Sequence, residues 1–260
     1  DIPTLQSHII SGLLNYEKLT LFYLYRIRKL ESDPNTTLNT ILSLNPMVIE
    51  QAKARDRQKN TQQHPIFGMP ILLKDNINTQ DMPTTAGAAF LQSHVPENDA
   101  YIVSQLQAKG ALILGKVNLS EWAYYFCDGC PLGYSAVGGQ TLNPYGRKVF
   151  ESGGSSSGSG VAVAANYAVA AVGSETSGSI LSPSGHNAVV GCKPTIGLVS
   201  RTGIVPISST LDTAGPMTKN VIDNAILLNA MQGKDTSNPS TTKAPDQIGD
   251  YIVASQNRSI

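Results

Sequence analysis

The sequence predicts an α/β protein in which a mixed β-sheet is covered by helices on both faces and is incomplete at its C-terminal edge. The apolar run PILL at residues 70–73 is typical of a strand that is buried on both faces, as in sheets covered by helices. A predicted helix over 99–109 precedes a predicted strand over 111–114, which is an α/β alternation. The 260 residues, 41% of them hydrophobic, suffice for one sizeable core.

The N-terminal part of the chain predicts three helices followed by the first strand. The first helix should run over residues 4–11, with Thr4 as a possible cap. The second, over 16–30, carries a broad apolar stripe, and the third, over 48–60, ends in a charged and solvated face. The strand that contains PILL is expected over 65–77.

The C-terminal part predicts shorter elements. A helix of small residues is expected over 162–171, a strand–turn–strand over 191–205, and an amphipathic helix over 218–232 that ends at Gly233. The polar segment 234–245 is typical of a loop or linker. The last element, IGDYIVA at 248–254, is expected to be an edge strand, which would expose backbone groups and apolar surface.

Charge and hydropathy exclude several classes of partner. The chain has 19 basic and 19 acidic residues, so nothing favours binding to nucleic acid or to an anionic membrane. The longest apolar stretch, 161–172, is too short to span a bilayer.

The chain starts at Asp1, which suggests a trimmed N-terminus. The compartment stays open between the cytoplasm, which is slightly favoured, and secretion or the periplasm after removal of a signal peptide. The oligomeric state is undetermined.

Three cysteines give little indication of metal or redox chemistry. Cys127 and Cys130 form a CxxC pattern, which could be half of a zinc site or a redox pair. No second CxxC and no histidine pair completes a zinc site, so we expect ordinary thiols and no metal.

Residues 152–160, SGGSSSGSG, allow several interpretations. A flexible linker would not lie inside a core pattern, and no Gly-Lys-Ser/Thr closes a phosphate-binding loop. A G-x-S-x-G nucleophile elbow centred on Ser156 would need a histidine base. The only downstream histidine, His186, has no evident acidic partner, so this interpretation is disfavoured.

A longer pattern points to a histidine-free hydrolase. Ser155 lies in the Gly/Ser run, Ser179 follows 24 positions later in GSETSGSILSP, and Lys74 ends the apolar run PILLK. With GMPILLKDNINT and SGGSSSGSGVAVAA, these segments resemble the amidase signature family, and GLVSRTGIVPIS and LDTAGPM resemble its peptide-amidase-like branch. The likeness runs from about residue 5 to residue 231. It implies an α/β amidase with a Ser–cis-Ser–Lys triad.

The resemblance assigns roles to individual residues. Ser179 matches the nucleophile, Ser155 the bridging serine after a cis peptide bond from Gly154, and Lys74 the base. The loop around Ser155 is supported by Gly153, Gly154 and Ser156. The backbone N–H groups of the oxyanion hole would belong to Thr176, Ser177, Gly178 and Ser179. Ser177 and Leu181 stand where the family commonly has glycine and arginine, which bears on substrate details.

These roles are chemically consistent. A serine hydroxyl ionises far above neutral pH and needs a base, and a lysine can be that base only when burial keeps it neutral. A bridging hydroxyl accepts from one partner and donates to another, so Ser155 can relay a proton from Ser179 to Lys74. Among the surrounding residues, Glu175 is expected to be structural, while Arg201 and Asp212 could brace the site or pair with each other.

The sequence therefore predicts an amidohydrolase that cleaves a carboxamide, such as a peptide C-terminal amide, through an acyl-serine intermediate. Its substrate would be a small-molecule or peptide amide, with no metal or organic cofactor. Residues 1–260 would form the N-terminal portion of one amidase domain. Two alternatives remain: the amidase component of a glutamine-dependent amidotransferase, which needs a partner and an ammonia tunnel, and a truncated, inactive binding module.

Overall fold

A mixed six-stranded sheet forms the centre of the protein in the computed structural model, which describes residues 1–58, 63–243 and 250–256. The strands are β1 (Ile41–Leu44), β2 (Pro70–Lys74), β3 (Leu112–Val117), β4 (Tyr134–Ser135), β5 (Gly139–Gln140), β6 (Ala170–Glu175), β7 (Val190–Gly191) and β8 (Thr213–Thr218). The α-helices are α1 (Ile2–Ile10), α2 (Tyr16–Glu31), α3 (Val48–Gln58), α4 (Tyr101–Ala108), α5 (Ser157–Ala164), α6 (Leu181–His186), α7 (Val221–Met231), α8 (Pro239–Thr242) and α9 (Tyr251–Gln256).

The strand order in the sheet is β1-β3-β2-β6-β8-β7, and β4 pairs with β5 in a separate two-stranded sheet. The central pairs β3–β2 and β2–β6 are parallel, whereas β1–β3, β6–β8 and β8–β7 are antiparallel. Every residue of β2, β3, β6 and β8 is buried. Since successive side chains of a strand point to opposite faces, both faces of the sheet centre are covered. The predicted mixed α/β class is confirmed.

The parallel direction of β2 and β6 decides where the chemistry lies. Parallel neighbours end at the same edge of a sheet, so Lys74 at the end of β2 and Glu175 at the end of β6 lie on one side of the molecule. The Gly/Ser run leads into α5, and the loop after β6 leads into α6. The Gly/Ser run and the loop after β6 are therefore both attached to helices that follow or flank the central strands.

The N-terminal helices follow the predicted order with different ends. α1 begins at Ile2, because the Asp1 carboxylate caps it by accepting from the Thr4 N–H at 2.8 Å, so the predicted cap at Thr4 is wrong. The side chain of Asn15 caps α2 by accepting from the Lys18 N–H at 2.8 Å. Helix α3 is confirmed to Gln58, and its predicted end at residue 60 lies outside the described residues.

Two segments of the core differ from the prediction. The predicted helix over 162–171 is in fact the end of α5 and the start of β6, separated at Asn166, whose φ is 58°. Helix α5 begins at Ser157, inside the Gly/Ser run, although glycine is a weak helix former. The predicted strand pair over 191–205 is wrong: β7 ends at Gly191, and the left-handed residues Gly197 and Gly203 turn the chain instead. Strands β1, β4, β5 and β8 were not predicted.

The C-terminal segment is helical. Residues 251–256 form α9 where the sequence predicted an edge strand, and residues 248 and 249 lie outside the described part. The Asp250 carboxylate accepts from the N–H groups of Ile252 and Val253 at 2.9 and 3.3 Å, which caps the helix. The Asn229 side chain on α7 accepts from the Tyr251 N–H at 3.1 Å. The exposed edge strand expected there is therefore wrong.

None of the helices formed by the described residues is long and apolar enough to cross a membrane. The polar segment predicted over 234–245 is mostly irregular as far as residue 243, with the short helix α8 inside it. It is also tied to the body of the protein: the Asp235 carboxylate accepts from the hydroxyls of Ser200 at 2.6 Å and Thr202 at 2.5 Å. This segment is thus part of the packed structure.

Candidate active site

Lys74 lies at the end of β2 with no solvent-exposed surface. Its Nζ is 2.7 Å from Ser155 Oγ and 3.2 Å from the carbonyl oxygen of Ser174. Burial lowers the pKa of Lys74 from 10.5 to about 7, while the negative charges of Glu175 and Asp212 act in the opposite direction. Near neutral pH, a large fraction of the molecules therefore carries an uncharged amine at this position.

Ser155 is held in place by the backbone on either side of it. The peptide bond between Gly154 and Ser155 is cis, as the family resemblance implied. The Ser155 carbonyl accepts from the N–H of Ser120 at 3.0 Å. A Cβ on Gly154 would lie 2.5 Å from Ser120 Oγ and 3.1 Å from Leu132 Cδ2, so a larger residue here would displace these side chains. The Gly/Ser run thus brings a hydroxyl to the lysine and is not a linker.

Ser156 and His186 do not form a nucleophile elbow. Ser156 is fully buried, and its hydroxyl donates to the Ser174 carbonyl at 3.0 Å and accepts from the Ser174 N–H at 3.2 Å. His186 is exposed, with Nδ1 at 2.8 Å from the Ser182 carbonyl and Nε2 at 3.9 Å from Glu151. The Ser156 hydroxyl therefore joins the loop to β6, which agrees with its expected supporting role.

The loop that carries Ser179 is organised by Glu175. The buried Glu175 carboxylate accepts from the backbone N–H groups of Gly178 at 2.7 Å, Ile180 at 2.7 Å and Leu181 at 3.0 Å. Gly178 has a φ of 83°, a conformation that favours glycine. The Gly178 N–H is occupied by this carboxylate, so its predicted place in the oxyanion hole does not fit the arrangement. Glu175 is structural, as expected.

The other predicted oxyanion donors remain free. Among the residues that the structure describes, no acceptor takes a hydrogen bond from the backbone N–H groups of Thr176, Ser177 or Ser179. Unpaired N–H groups in a short loop form a concave site for negative charge. The half-buried Ser179 hydroxyl belongs to the same loop.

Ser155 and Ser179 both line a cavity of about 360 Å³. Its wall includes the segment 204–209 and the side chains of Arg201 and Asp212. Asp212 accepts from Thr176 Oγ1 at 2.5 Å and from the N–H groups of Ile207 and Ser208, both at 2.8 Å. The carboxylate therefore joins the wall of the cavity to the Ser179 loop.

Arg201 braces the same wall from its other side. Its guanidinium donates to the carbonyl oxygens of Ser208 at 3.3 Å and Ser209 at 2.6 Å, and to Ser240 Oγ at 3.2 Å. Arg201 thus holds backbone carbonyls, and Asp212 holds backbone N–H groups of the same segment. The sequence left open whether Arg201 and Asp212 brace the site or pair with each other, and these contacts fit the first interpretation.

A second buried lysine, Lys116, was not predicted from the sequence. Lys116 on β3 is fully buried, 3.1 Å from Asp75 Oδ1, and it donates to Thr84 Oγ1 at 2.8 Å. Burial lowers the pKa of Lys116, and the Asp75 charge opposes that shift. Asp75 also accepts from the Thr85 N–H at 3.0 Å, so the pair fixes the chain directly after Lys74. A lysine inside the apolar run LILGKV was the available signal.

Cys127 and Cys130 form a disulfide, so the expectation of ordinary thiols is wrong and neither sulfur is available for zinc. The bond closes a short loop whose backbone is also held by the Tyr124 hydroxyl, which donates to the Cys130 carbonyl at 2.9 Å. Cys192 is a free, half-buried cysteine, and burial raises its pKa.

Comparisons with known proteins identify the family of this chain. The chain belongs to the amidase signature family, since the family model named Amidase matches residues 18–259. A probable amidase of Arabidopsis thaliana is 44% identical over 240 residues, which are 90% of this chain and 46% of that protein. A glutamyl-tRNA(Gln) amidotransferase subunit from Exiguobacterium sibiricum is 45% identical over 196 residues, or 75% of this chain and 40% of that protein.

A solved structure supports the same conclusion about the fold. The native peptide amidase of Stenotrophomonas maltophilia superposes with a TM-score of 0.93 at 47% identity, covering 97% of this chain and 52% of that chain. The chain therefore has the amidase signature fold. It spans about half the length of the relatives that it matches.

Proposed function

We propose that this protein hydrolyses carboxamides, including peptide C-terminal amides, through an acyl-serine intermediate on Ser179. The observation that carries the proposal is the 2.7 Å contact between Lys74 Nζ and Ser155 Oγ at a buried position where the pKa of Lys74 is lowered to about 7. A base is most effective when its pKa lies near the working pH. The family membership supports amide chemistry, and the proposal requires no metal or organic cofactor.

In the first half of the reaction, Ser179 Oγ attacks the amide carbonyl carbon. The proton of Ser179 passes to Ser155, and the proton of Ser155 passes to neutral Lys74. The carbonyl oxygen gains negative charge, which we expect the free N–H groups of Thr176, Ser177 and Ser179 to stabilise. Donors of this kind are typically worth about 10²–10³ in rate each.

In the second half, the C–N bond breaks and the proton returns from Lys74 through Ser155 to the departing nitrogen. A primary carboxamide thus releases ammonia and leaves an ester on Ser179. Water then attacks this ester, its proton follows the same route to Lys74, and the carboxylic acid is released as Ser179 is reprotonated. One lysine serves in turn as base and acid.

The amidase component of an amidotransferase is a second candidate, supported by the 45% identity to the Exiguobacterium sibiricum protein. Both candidates share the chemistry at Ser179 and differ in the fate of ammonia. A hydrolase releases ammonia from small amides without a partner. An amidotransferase component would transfer it within a complex.

The deciding experiment measures ammonia release from a panel of small amides and peptide amides. We expect turnover to be lost in Ser179→Ala and largely retained in Ser177→Ala, a control in the same loop that changes only the side chain and keeps the Ser177 backbone N–H. A serine-directed phosphonate should label Ser179 in mass spectrometry. Label on Ser156 would contradict the assignment, and the absence of both label and ammonia would favour a binding module.

A further inference from the structure

A second cavity, of about 260 Å³, adjoins the cavity that contains Ser155 and Ser179. Five residues line both cavities: Asn76, Ala123, Val205, Pro206 and Ile207. The remaining lining of the second cavity is Ala86, Trp122, Tyr125 and Phe126. Because the two cavities share these five lining residues, the second cavity lies next to the one that contains Ser179.

The second cavity has an aromatic side and no charged lining residue among those described. The ring of Phe126 lies 5.9 Å from that of Trp122 and 5.0 Å from that of Tyr125, both in edge-to-face contact. Phe126 is 73% exposed and Tyr125 is 62% exposed. Exposed apolar rings grouped at a concave surface are typical of ligand-binding sites.

The backbone that presents these rings has an unfavourable conformation. Trp122, Ala123 and Tyr124 have φ values of 51°, 53° and 71°, a left-handed region that residues other than glycine rarely adopt. The Trp122 N–H donates to the Ala86 carbonyl at 2.8 Å, which helps to hold this turn. Backbone strain that is kept in a folded protein tends to occur at functional sites. Here it places Trp122 and Ala123 on the cavity wall.

We propose that the second cavity is the subsite for an aromatic or branched apolar group on the acyl side of the substrate amide. This proposal rests on the proposed function, and it adds the substrate class. The nitrogen of a primary carboxamide leaves as ammonia, so every larger group of such a substrate is attached to the acyl carbon. An apolar group of side-chain size suits a cavity of 260 Å³ that is lined by Val205, Pro206, Ile207 and three aromatic rings.

The chain contains one tryptophan, and it lies on the wall of this subsite, so its fluorescence reports binding directly. We would titrate the protein with N-acetyl-phenylalaninamide and with N-acetyl-glycinamide while recording Trp122 emission. Burial of an aromatic side chain should make the phenylalanine ligand bind about 10- to 100-fold more tightly. Ammonia release from the same two amides gives the matching ratio of kcat/KM.

Variants at exposed positions test the assignment. We expect Phe126→Ala and Tyr125→Ala each to reduce the preference for the phenylalanine ligand several-fold while binding of the glycine ligand stays the same. Tyr25→Ala on α2, where the side chain is 64% exposed, is the matched control and should change neither. Circular dichroism would verify that all three variants fold.

The outcomes separate this proposal from the proposed function. If the two amides bind equally and are hydrolysed with equal kcat/KM, the subsite proposal is wrong and the proposed amidase function stands. If the phenylalanine ligand binds preferentially and neither amide releases ammonia, the function is wrong and the apolar preference of the cavity stands. A preference that survives in both Phe126→Ala and Tyr125→Ala would also overturn the subsite.

Discussion

The backbone N–H of Ser156 donates to the carbonyl oxygen of Ser179 at 3.1 Å, so the Gly/Ser loop and the loop after β6 are joined directly. Ser155 precedes the donor of this bond, and Ser179 itself supplies the acceptor. The two serines that the proposed mechanism uses are therefore placed by one shared backbone contact. A change that displaces either loop is expected to affect both hydroxyls.

Activity should depend on pH through Lys74. Because only the neutral amine accepts a proton, we expect kcat/KM to rise about tenfold per pH unit below about pH 7 and to level off above it. Lys74→Ala should reduce the rate by about 10²–10⁴, the usual contribution of general acid–base catalysis. Lys53→Ala, at a solvent-exposed lysine, is the control. A profile that rises only near the pKa of an ordinary lysine would rule out Lys74 as the base.

The burial of Lys74 should also make the free energy of unfolding depend on pH. The pKa of Lys74 is about 7 in the folded protein and 10.5 for an unperturbed lysine, so the unfolded chain binds more protons between these values. The free energy of unfolding should therefore increase as pH rises from about 7 towards 10.5. Urea unfolding of the protein and of Lys74→Met at several pH values measures this slope. An identical pH dependence in the two would contradict a depressed pKa.

Glu175→Gln should damage the Ser179 loop. An amide has one acceptor oxygen and places an NH₂ group against backbone N–H groups that the carboxylate now accepts, at Gly178, Ile180 and Leu181. We expect a loss of about 1–3 kcal/mol in stability and a fall in kcat larger than any change in KM. Glu50→Gln, at an exposed carboxylate 2.8 Å from Lys53 Nζ on α3, is the control and should have little effect by comparison. Normal kcat in Glu175→Gln would show that the carboxylate does not position the loop.

Substituting alanine for two helical glycines, one crowded and one in open space, tests how closely α5 packs against the sheet. A Cβ on Gly158 in α5 would lie 2.4 Å from the Asn118 carbonyl oxygen, so Gly158→Ala should destabilise the fold by about 1–3 kcal/mol or more. Gly185 in α6 has open space around it, and Gly185→Ala should stabilise by about 0.5–1 kcal/mol. Thermal unfolding of both variants checks the sign. Equal shifts in the same direction would disagree with this close approach of α5 to β3.

The disulfide should matter for the aromatic subsite more than for the fold. Cys127→Ser with Cys130→Ser opens a loop of only four residues, so the loss of stability should not exceed about 2 kcal/mol. We expect a weaker preference for the phenylalanine amide and unchanged hydrolysis of the glycine amide, because the disulfide lies next to Phe126. Cys192→Ser is the control. An equal loss with both amides would place the effect at Ser179 instead.

The differences between sequence and structure have identifiable causes. The run PILLK is apolar up to its last residue, which is typical of a strand buried on both faces. The structure shows this strand as β2, with all of its residues buried. Small residues pack equally well in a helix or a strand, so the boundary between α5 and β6 was misplaced. The segment IGDYIVA is short and apolar, and contact with Asn229 and capping by Asp250 favour a helix over its described residues.

The amino-acid order was enough to establish the family, the α/β class and the candidate residues Lys74, Ser155 and Ser179, because long motifs and buried strands leave a pattern along the chain. The roles of these three residues stay predictions. Three features became visible only in the folded chain: Gly178 donates to Glu175, Lys116 pairs with Asp75, and an aromatic cavity adjoins the serines. Hydrogen bonds, ion pairs and pKa shifts of this kind depend on distances and burial between elements that are brought together only by folding.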